Sequence, residues 1–342
     1  MDRRTYLATS VALLAGCSTS ENKPSSQDTE AATVTQTSSK QAPTSTAEEK
    51  ATQEPTETPQ QSADVLVGDV VGDNALQMVV RDVSRTKSIN EIQQADSGNE
   101  FAVVRLAVKN ITENSDTDVS ELFQTRIKDS QNYTYQPALT GGDQAFQGGT
   151  LAPGEVSRGD LFYEIPTDTS GLSMQFDFAG TSLFDYNRVT IDLENQTDTI
   201  ADISQNLRVD VHSAGDAIES GGLEVTVNSI EYRTAIGSFS EAADGYEYAI
   251  VDITTANSTD QEISVSSLLQ MECKDGRGFS YSGSLTAMSQ LDQAYPQGSS
   301  LGPGEERRGK VPYEIPTDAE PLYWMFEFSV LVNGYKTFWQ LR

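Results

Sequence analysis

The sequence predicts an all-β protein, two tandem antiparallel β-sandwiches after a disordered tether. Three observations carry that reading. The phrase LAPGEVSRGDLFYEIPTD from Leu151 returns as LGPGEERRGKVPYEIPTD from Leu301, with twelve of eighteen positions identical. Around both phrases apolar residues recur with a period of two, the pattern of half-buried strands. Ahead of them, residues 18–63 hold eighteen Ser or Thr, no aromatic residue and one large aliphatic, Val34.

The chain opens MDRRTYLATSVALLAGC. Arg3 and Arg4 before a short apolar run resemble a twin-arginine export signal, although Asp2 and Ala8 depart from the usual residues there. Leu14-Ala15-Gly16-Cys17 matches a lipobox, which makes 1–17 a lipoprotein signal peptide and Cys17 the lipidated residue. The apolar run is too short to span a bilayer as a stable helix. Residues 18–63 cannot bury enough apolar surface to offset their ordering entropy, so they read as a disordered tether. A flexible coil of that length reaches about 40 Å.

From Gly68 onward the two halves align, giving sandwiches over 64–196 and 204–342. ALQMVVRDV from Ala75 matches GLEVTVNSI from Gly222, and EFAVVRLAVKNIT from Glu100 matches EYAIVDITTANST from Glu247. VSELFQTRIKDSQNYTY from Val119 matches VSSLLQMECKDGRGFSY from Val265. Strands are expected near 66–71, 75–83, 100–109, 119–128, 132–136, 158–165, 172–179 and 188–193, with a single helical turn at most, at Ile89–Ala95. Leu161, Tyr163 and Ile165, then Leu172, Met174, Phe176 and Phe178, should face one core; Val311, Tyr313, Ile315, Leu322, Trp324, Phe326 and Phe328 should face the other. Pro153-Gly154 and Pro303-Gly304 suit the centre of a type II turn. Pro166 and Pro316 should stop the strands that follow, and Pro312 implies an edge strand. Each half is thus an immunoglobulin-like sandwich, two sheets over one core.

These runs, with the order Gly-Asp, strand, Asn-ended strand, KDGRGFSY and L-x-P-G-E…G…Y-E-I-P, resemble the secreted-lipoprotein domain known as domain of unknown function 4352. KDSQNYTY in the first half departs from it by lacking the Gly pair. The resemblance implies the fold and a lipobox, and it brings no catalytic residues.

The formal charge is −28, and 22 acids against 9 bases in 64–200 compare with 21 against 9 in 201–342. Both halves therefore carry the excess, as in salt-adapted proteins of haloarchaeal type, whose self-repulsion is screened in molar salt. The same charge argues against a nucleic-acid partner. The chain has one His, His212, and two Cys, too few for a zinc site. Cys273 aligns with apolar Ile127 and reads as an inert buried thiol. Asn114, Asp116, Asp118 and Glu121 hint at calcium but lack the loop pattern that ion needs. No metal or other cofactor is expected.

Asp143, Gln144 and Phe146 recur as Asp292, Gln293 and Tyr295 in the longest loop of each half. They are either two small binding loops or plugs for the ends of the sandwiches. Asn110, Asn132, Asn195 and Asn257 head N-glycosylation sequons. The functional expectation is a non-catalytic surface protein, held to the membrane by its lipid, that binds a protein or glycan partner. Two rivals are a carboxylate hydrolase using a retained pair such as Glu164 and Glu314, and a solute-binding lipoprotein of a transporter.

Overall fold

The computed structural model describes residues 65–90, 92–138, 142, 144–178, 188–328 and 335–342. The export signal and tether lie outside them. The first sandwich comprises β1 (Val65–Val67), β2 (Val70–Gly72), β3 (Leu76–Thr86), β4 (Asn99–Asn110), β5 (Thr117–Val119), the one-turn α1 (Glu121–Gln124), β6 (Thr125–Lys128), β7 (Thr134–Tyr135), β8 (Gly149–Leu151), β9 (Val156–Pro166), β10 (Ser173–Asp177) and β11 (Arg188–Gln196). The second repeats the plan with β12 (Val211–His212), β13 (Ala217–Ser220), β14 (Leu223–Arg233), β15 (Ala235–Ile236), β16 (Ser240–Glu241), β17 (Tyr246–Asn257), β18 (Ile263–Val265), β19 (Met271–Asp275), β20 (Ser280–Ser282), the one-turn α2 (Leu285–Met288), β21 (Ser299–Leu301), β22 (Glu306–Pro316), β23 (Leu322–Glu327) and β24 (Lys336–Gln340).

In each sandwich a four-stranded antiparallel sheet, β2-β3-β4-β9 or β13-β14-β17-β22, faces a five-stranded one, β1-β11-β10-β6-β7 or β12-β24-β23-β19-β20. Only β1 on β11 and β12 on β24 pair in parallel within these sheets. The inward residues pack as expected: Tyr163, Ile165, Met174 and Phe176 are fully buried in one core, and Tyr313, Ile315, Trp324 and Phe326 in the other. The Tyr163 hydroxyl and the Thr125 hydroxyl meet at 2.8 Å, while Trp324 Nε1 donates to the Tyr313 hydroxyl at 2.9 Å. Burial raises both phenols, so neither is available as an acid or base. Cys273 is a fully buried free thiol, pushed well up by burial.

The twice-written phrase resolves residue by residue. Gly154 and Gly304 sit at φ 78° and 68°, and the amides of Glu155 and Glu305 close the turns onto the carbonyls of Ala152 and Gly302 at 2.9 and 3.0 Å. These are type II turns, where glycine takes the positive φ without strain. β9 and β22 both end on their prolines, and β22 is an edge strand, which tolerates Pro312.

The helical expectation needs correction. Ile89–Ala95 closes by an Ile89 N to Gln93 O bond and an isolated bridge from Ser88 to Gln94, with no helix among its described residues. The helical turns are α1 and α2 instead. In α1 the Gln124 side chain accepts from Ser120 N at 2.7 Å and donates to Asp177 O at 3.0 Å, bending the chain where a continuous strand was expected. Gln270 makes the same pair of bonds with Ser266 N and Glu327 O.

Candidate functional site

The loop residues singled out by repetition behave as structure. Asp143 lies outside the described residues. Gln144 O accepts from Asp160 N at 2.7 Å and Phe146 N donates to Asp160 O at 3.0 Å; Gln293 O and Tyr295 N clasp Lys310 in the same way at 2.8 and 3.0 Å. Each loop thus lies across the adjacent strand as one extra bridge. Phe146 and Tyr295 are 5% and 1% exposed and belong to the two cores, so neither can present its ring to a ligand. The Tyr295 hydroxyl meets the Thr255 hydroxyl at 2.7 Å. Gln144 Oε1 takes a bond from Arg105 at 3.2 Å, whereas Asp292 and Gln293 are exposed. The plug reading holds for the aromatics, and the binding-loop reading is withdrawn for them. The loops recross at Gly159 and Gly309. A Cβ on Gly159 would lie 2.5 Å from Phe146 N, and one on Gly309 would lie 2.7 Å from Tyr295 N.

Two sequons are corrected too. Asn110 is fully buried and Asn257 is 2% exposed. Asn110 Nδ2 donates to Ser115 O and Leu151 O at 2.8 Å each, and Asn257 Nδ2 to Gln261 O and Leu301 O at 2.7 and 3.0 Å. A glycan on either nitrogen would forfeit these bonds and find no room. Asn132 and Asn195 are exposed, the former at φ 63°. The retained acids Glu164 and Glu314 fasten loops, accepting from the amides of Asp96 and Ala243 at 2.8 Å each. Each uses one oxygen, Oε1, for that bond.

The geometry that the sequence did not disclose lies where the sandwiches meet. Leu151 through Gly159 are all buried, while Pro303 through Glu306 are exposed. The Glu155 carboxylate, with no exposed surface, meets Lys274 Nζ on β19 at 2.5 Å and Lys336 Nζ on β24 at 3.2 Å. It also accepts from Ala152 N at 2.7 Å. Burial alone would raise this carboxyl, but the two ammoniums outweigh it and hold Glu155 below the usual glutamate range. Around the clamp, Ala152 packs with Met325, Phe338, Leu207 and Val209. Arg158 N donates to Gly278 O at 3.0 Å, and the Arg158 guanidinium lies 5.6 Å from the Phe279 ring centre. The linker is strapped to the same seam, with Asn206 N on Gly154 O and Arg208 N on Pro153 O at 3.1 and 2.9 Å.

Beside this seam runs a groove of about 730 Å³ lined by both sandwiches. Phe162, Tyr246 and Tyr281 supply apolar faces; Gln144, Gln147 and Ser282 supply amides and a hydroxyl. Its two acids are committed: Asp160 is held by Arg105 through two bonds of 2.8 Å, and Glu314 by the Ala243 amide. The volume and the mixture of rings with a few polar groups are typical of small-ligand sites. Among the described residues no cluster of His, Cys, Asp and Glu is placed to hold a metal ion.

Among curated proteins the sequence finds no match. Solved structures resemble it over less than half of its length. The ycdA protein of Bacillus subtilis, which carries a provisional lipoprotein assignment, is 18% identical over 37% of this chain and 39% of its own, with a TM-score of 0.31. A β-sandwich protein of Clostridium difficile is 20% identical over 39% of this chain and 95% of its own, at a TM-score of 0.27. The Bacillus subtilis yjhA protein is 16% identical over 39% and 100%, at 0.31. This chain therefore spans about two-fifths of the length of ycdA. The family profile of the domain of unknown function DUF4352 matches twice, at 65–204 and 212–336. With two copies filling its described sandwiches, the chain belongs to the DUF4352 family.

Proposed function

We propose that this is a non-catalytic recognition protein of the cell surface. It is exported, anchored through lipid on Cys17, and uses the groove between its sandwiches to bind an uncharged, hydroxyl-rich ligand such as a surface glycan. The groove carries the reading. Ring faces suit the apolar faces of sugars, and amide and hydroxyl groups suit their edges. Asp160 is neutralised by Arg105, whereas Glu314 bonds only a neutral amide and keeps its charge, which disfavours acidic ligands. The loop-fastening roles of Glu164 and Glu314 count against the hydrolase reading for that pair. The strong acid excess of both halves supports an envelope bathed in salt.

Two results are expected. Screening on arrays of neutral and acidic glycans, in molar salt, should return neutral ligands, and Tyr246→Ala should weaken the best of them by about tenfold, the worth of one lost ring contact. Binding indifferent to Tyr246→Ala, or confined to charged ligands, would overturn the groove assignment. Cys17→Ser should move the protein from the membrane fraction to the medium or the soluble fraction. Its persistence on membranes would contradict lipid anchoring.

A further inference from the structure

We propose that a second molecule of this chain docks head to tail. The exposed turn Pro303–Glu305 of one molecule seats on the outer face of β6, β10 and β11 of the next, repeating between molecules the contact that joins the two sandwiches within one.

The intramolecular contact has two halves, and duplication made each of them twice. One half is the Pro-Gly-Glu turn, buried in the first sandwich and exposed in the second. The other is a pair of cations on the five-stranded sheet. Lys274 lies opposite Tyr323, and Lys336 opposite Glu327. Lys128 lies opposite Ser173, and Arg188 opposite Asp177, which are the same places in the first sandwich. All three charges of the buried clamp therefore have counterparts outside it: Glu305 on the second sandwich, where Arg307 pairs with it at 2.6 Å, and Lys128 and Arg188 on the first. Glu305 accepts from Gly302 N at 2.8 Å, as Glu155 does from Ala152 N, so the turn is already in its docking shape.

The hairpin tips agree. Within the chain, the tip holding Gly278 and Phe279 lies on Val156 and Arg158. In the first sandwich the equivalent tip is exposed. Asn132 keeps the left-handed backbone of Gly278, φ 63° against 92°, and Tyr133 stands where Phe279 does with 64% of its surface exposed.

The two faces also differ, and the difference sets the strength. Tyr323, Met325 and Phe338 are replaced by Ser173, Gln175 and Thr190, and Asp177 already pairs with Arg188 at 2.8 Å. The contact between molecules is therefore polar and weaker than the one within the chain. Turn and face are different surfaces, so the contact is heterologous, and each bound molecule leaves a turn and a face unused for the next.

Sedimentation velocity on the full-length chain carrying Cys17→Ser, from low micromolar to millimolar concentration, tests this. The weight-average sedimentation coefficient should climb with concentration. Glu305→Ala and Lys128→Ala should each weaken association by about tenfold or more, as for a charge removed from an interfacial pair. Mixing the two variants should restore a complex that stops at the dimer, because one still has an intact face and the other an intact turn. Melting temperatures equal to the parent's would show that both variants remain folded. A parent that stays monomeric throughout overturns the proposal. So does association that neither variant weakens, or a mixture no more associated than its parts.

Discussion

Glu155→Ala is expected to cost up to about 3–5 kcal/mol of unfolding free energy, because it removes the carboxylate bonded to two buried ammoniums and leaves them only the longer-range attraction of Glu272 and Glu327. Lys274 and Lys336 have side chains only 3% and 8% exposed, and among the described residues Glu155 is the one acid in ion-pair contact with both. Glu155→Gln should cost less, since an amide oxygen can still accept from Lys274. Glu305→Ala, the same letter in the other copy, removes an exposed group and should change stability little. Urea unfolding of the three variants checks the ranking. Equal losses at 155 and 305 would mean that the seam contributes nothing beyond the turn itself. Acid should act in the same direction. Since the folded Glu155 titrates below an ordinary glutamate, its contribution is complete above the ordinary range and fades as pH falls through the lowered value.

The second large effect belongs to a glycine. Gly309→Val should destabilise the second sandwich by about 3 kcal/mol, the upper range for overpacking, because the obstacle is backbone and not a side chain that can swing away. Gly159→Val should act alike on the first sandwich through Phe146. Both glycines belong to the repeated Arg-Gly step, and both cross under the repeated loop residues, at Phe146 and Tyr295. Their retention and that of the loop residues they cross have one cause. Thermal unfolding of each variant reads the loss; a shift smaller than that from Glu305→Ala would show that the loop can lift away cheaply.

Much of the architecture was legible because β-structure writes its burial with a period of two, and because proline and glycine act through the backbone at their own positions. Tyr163, Met174, Trp324 and Phe326 fell where alternation placed them, and Pro312 marked its edge strand. What stayed hidden depends on partners distant in sequence. The α1 turn exists because one amide, Gln124, reaches across to Asp177 O, and four residues show no period. Asn110 resembled an acceptor for sugar because a sequon describes three residues, whereas its burial is decided by carbonyls up to 41 positions away. Glu155 finds its lysines 119 and 181 residues later.

A signal for the seam did exist. The copies disagree at outward positions: Tyr323, Met325 and Phe338 are apolar where Ser173, Gln175 and Thr190 are polar, and Val156 is apolar where Glu306 is charged. Outward apolar residues in one copy only are what a surface covered once would leave. Comparing the halves for their differences, and not only their identities, would have located the junction. The repeated loop residues stayed open between binding loops and plugs, because a close crossing of two backbones, which favours their retention, leaves no periodic mark in the sequence.

The two copies fold as one body around a shared buried clamp. Double electron–electron resonance on the full chain, spin-labelled at the exposed positions Ser84 and Glu231, reads this most directly. A single narrow distance peak that broadens in Glu155→Ala is the predicted result. A broad distribution in the parent, unchanged by that substitution, would contradict it.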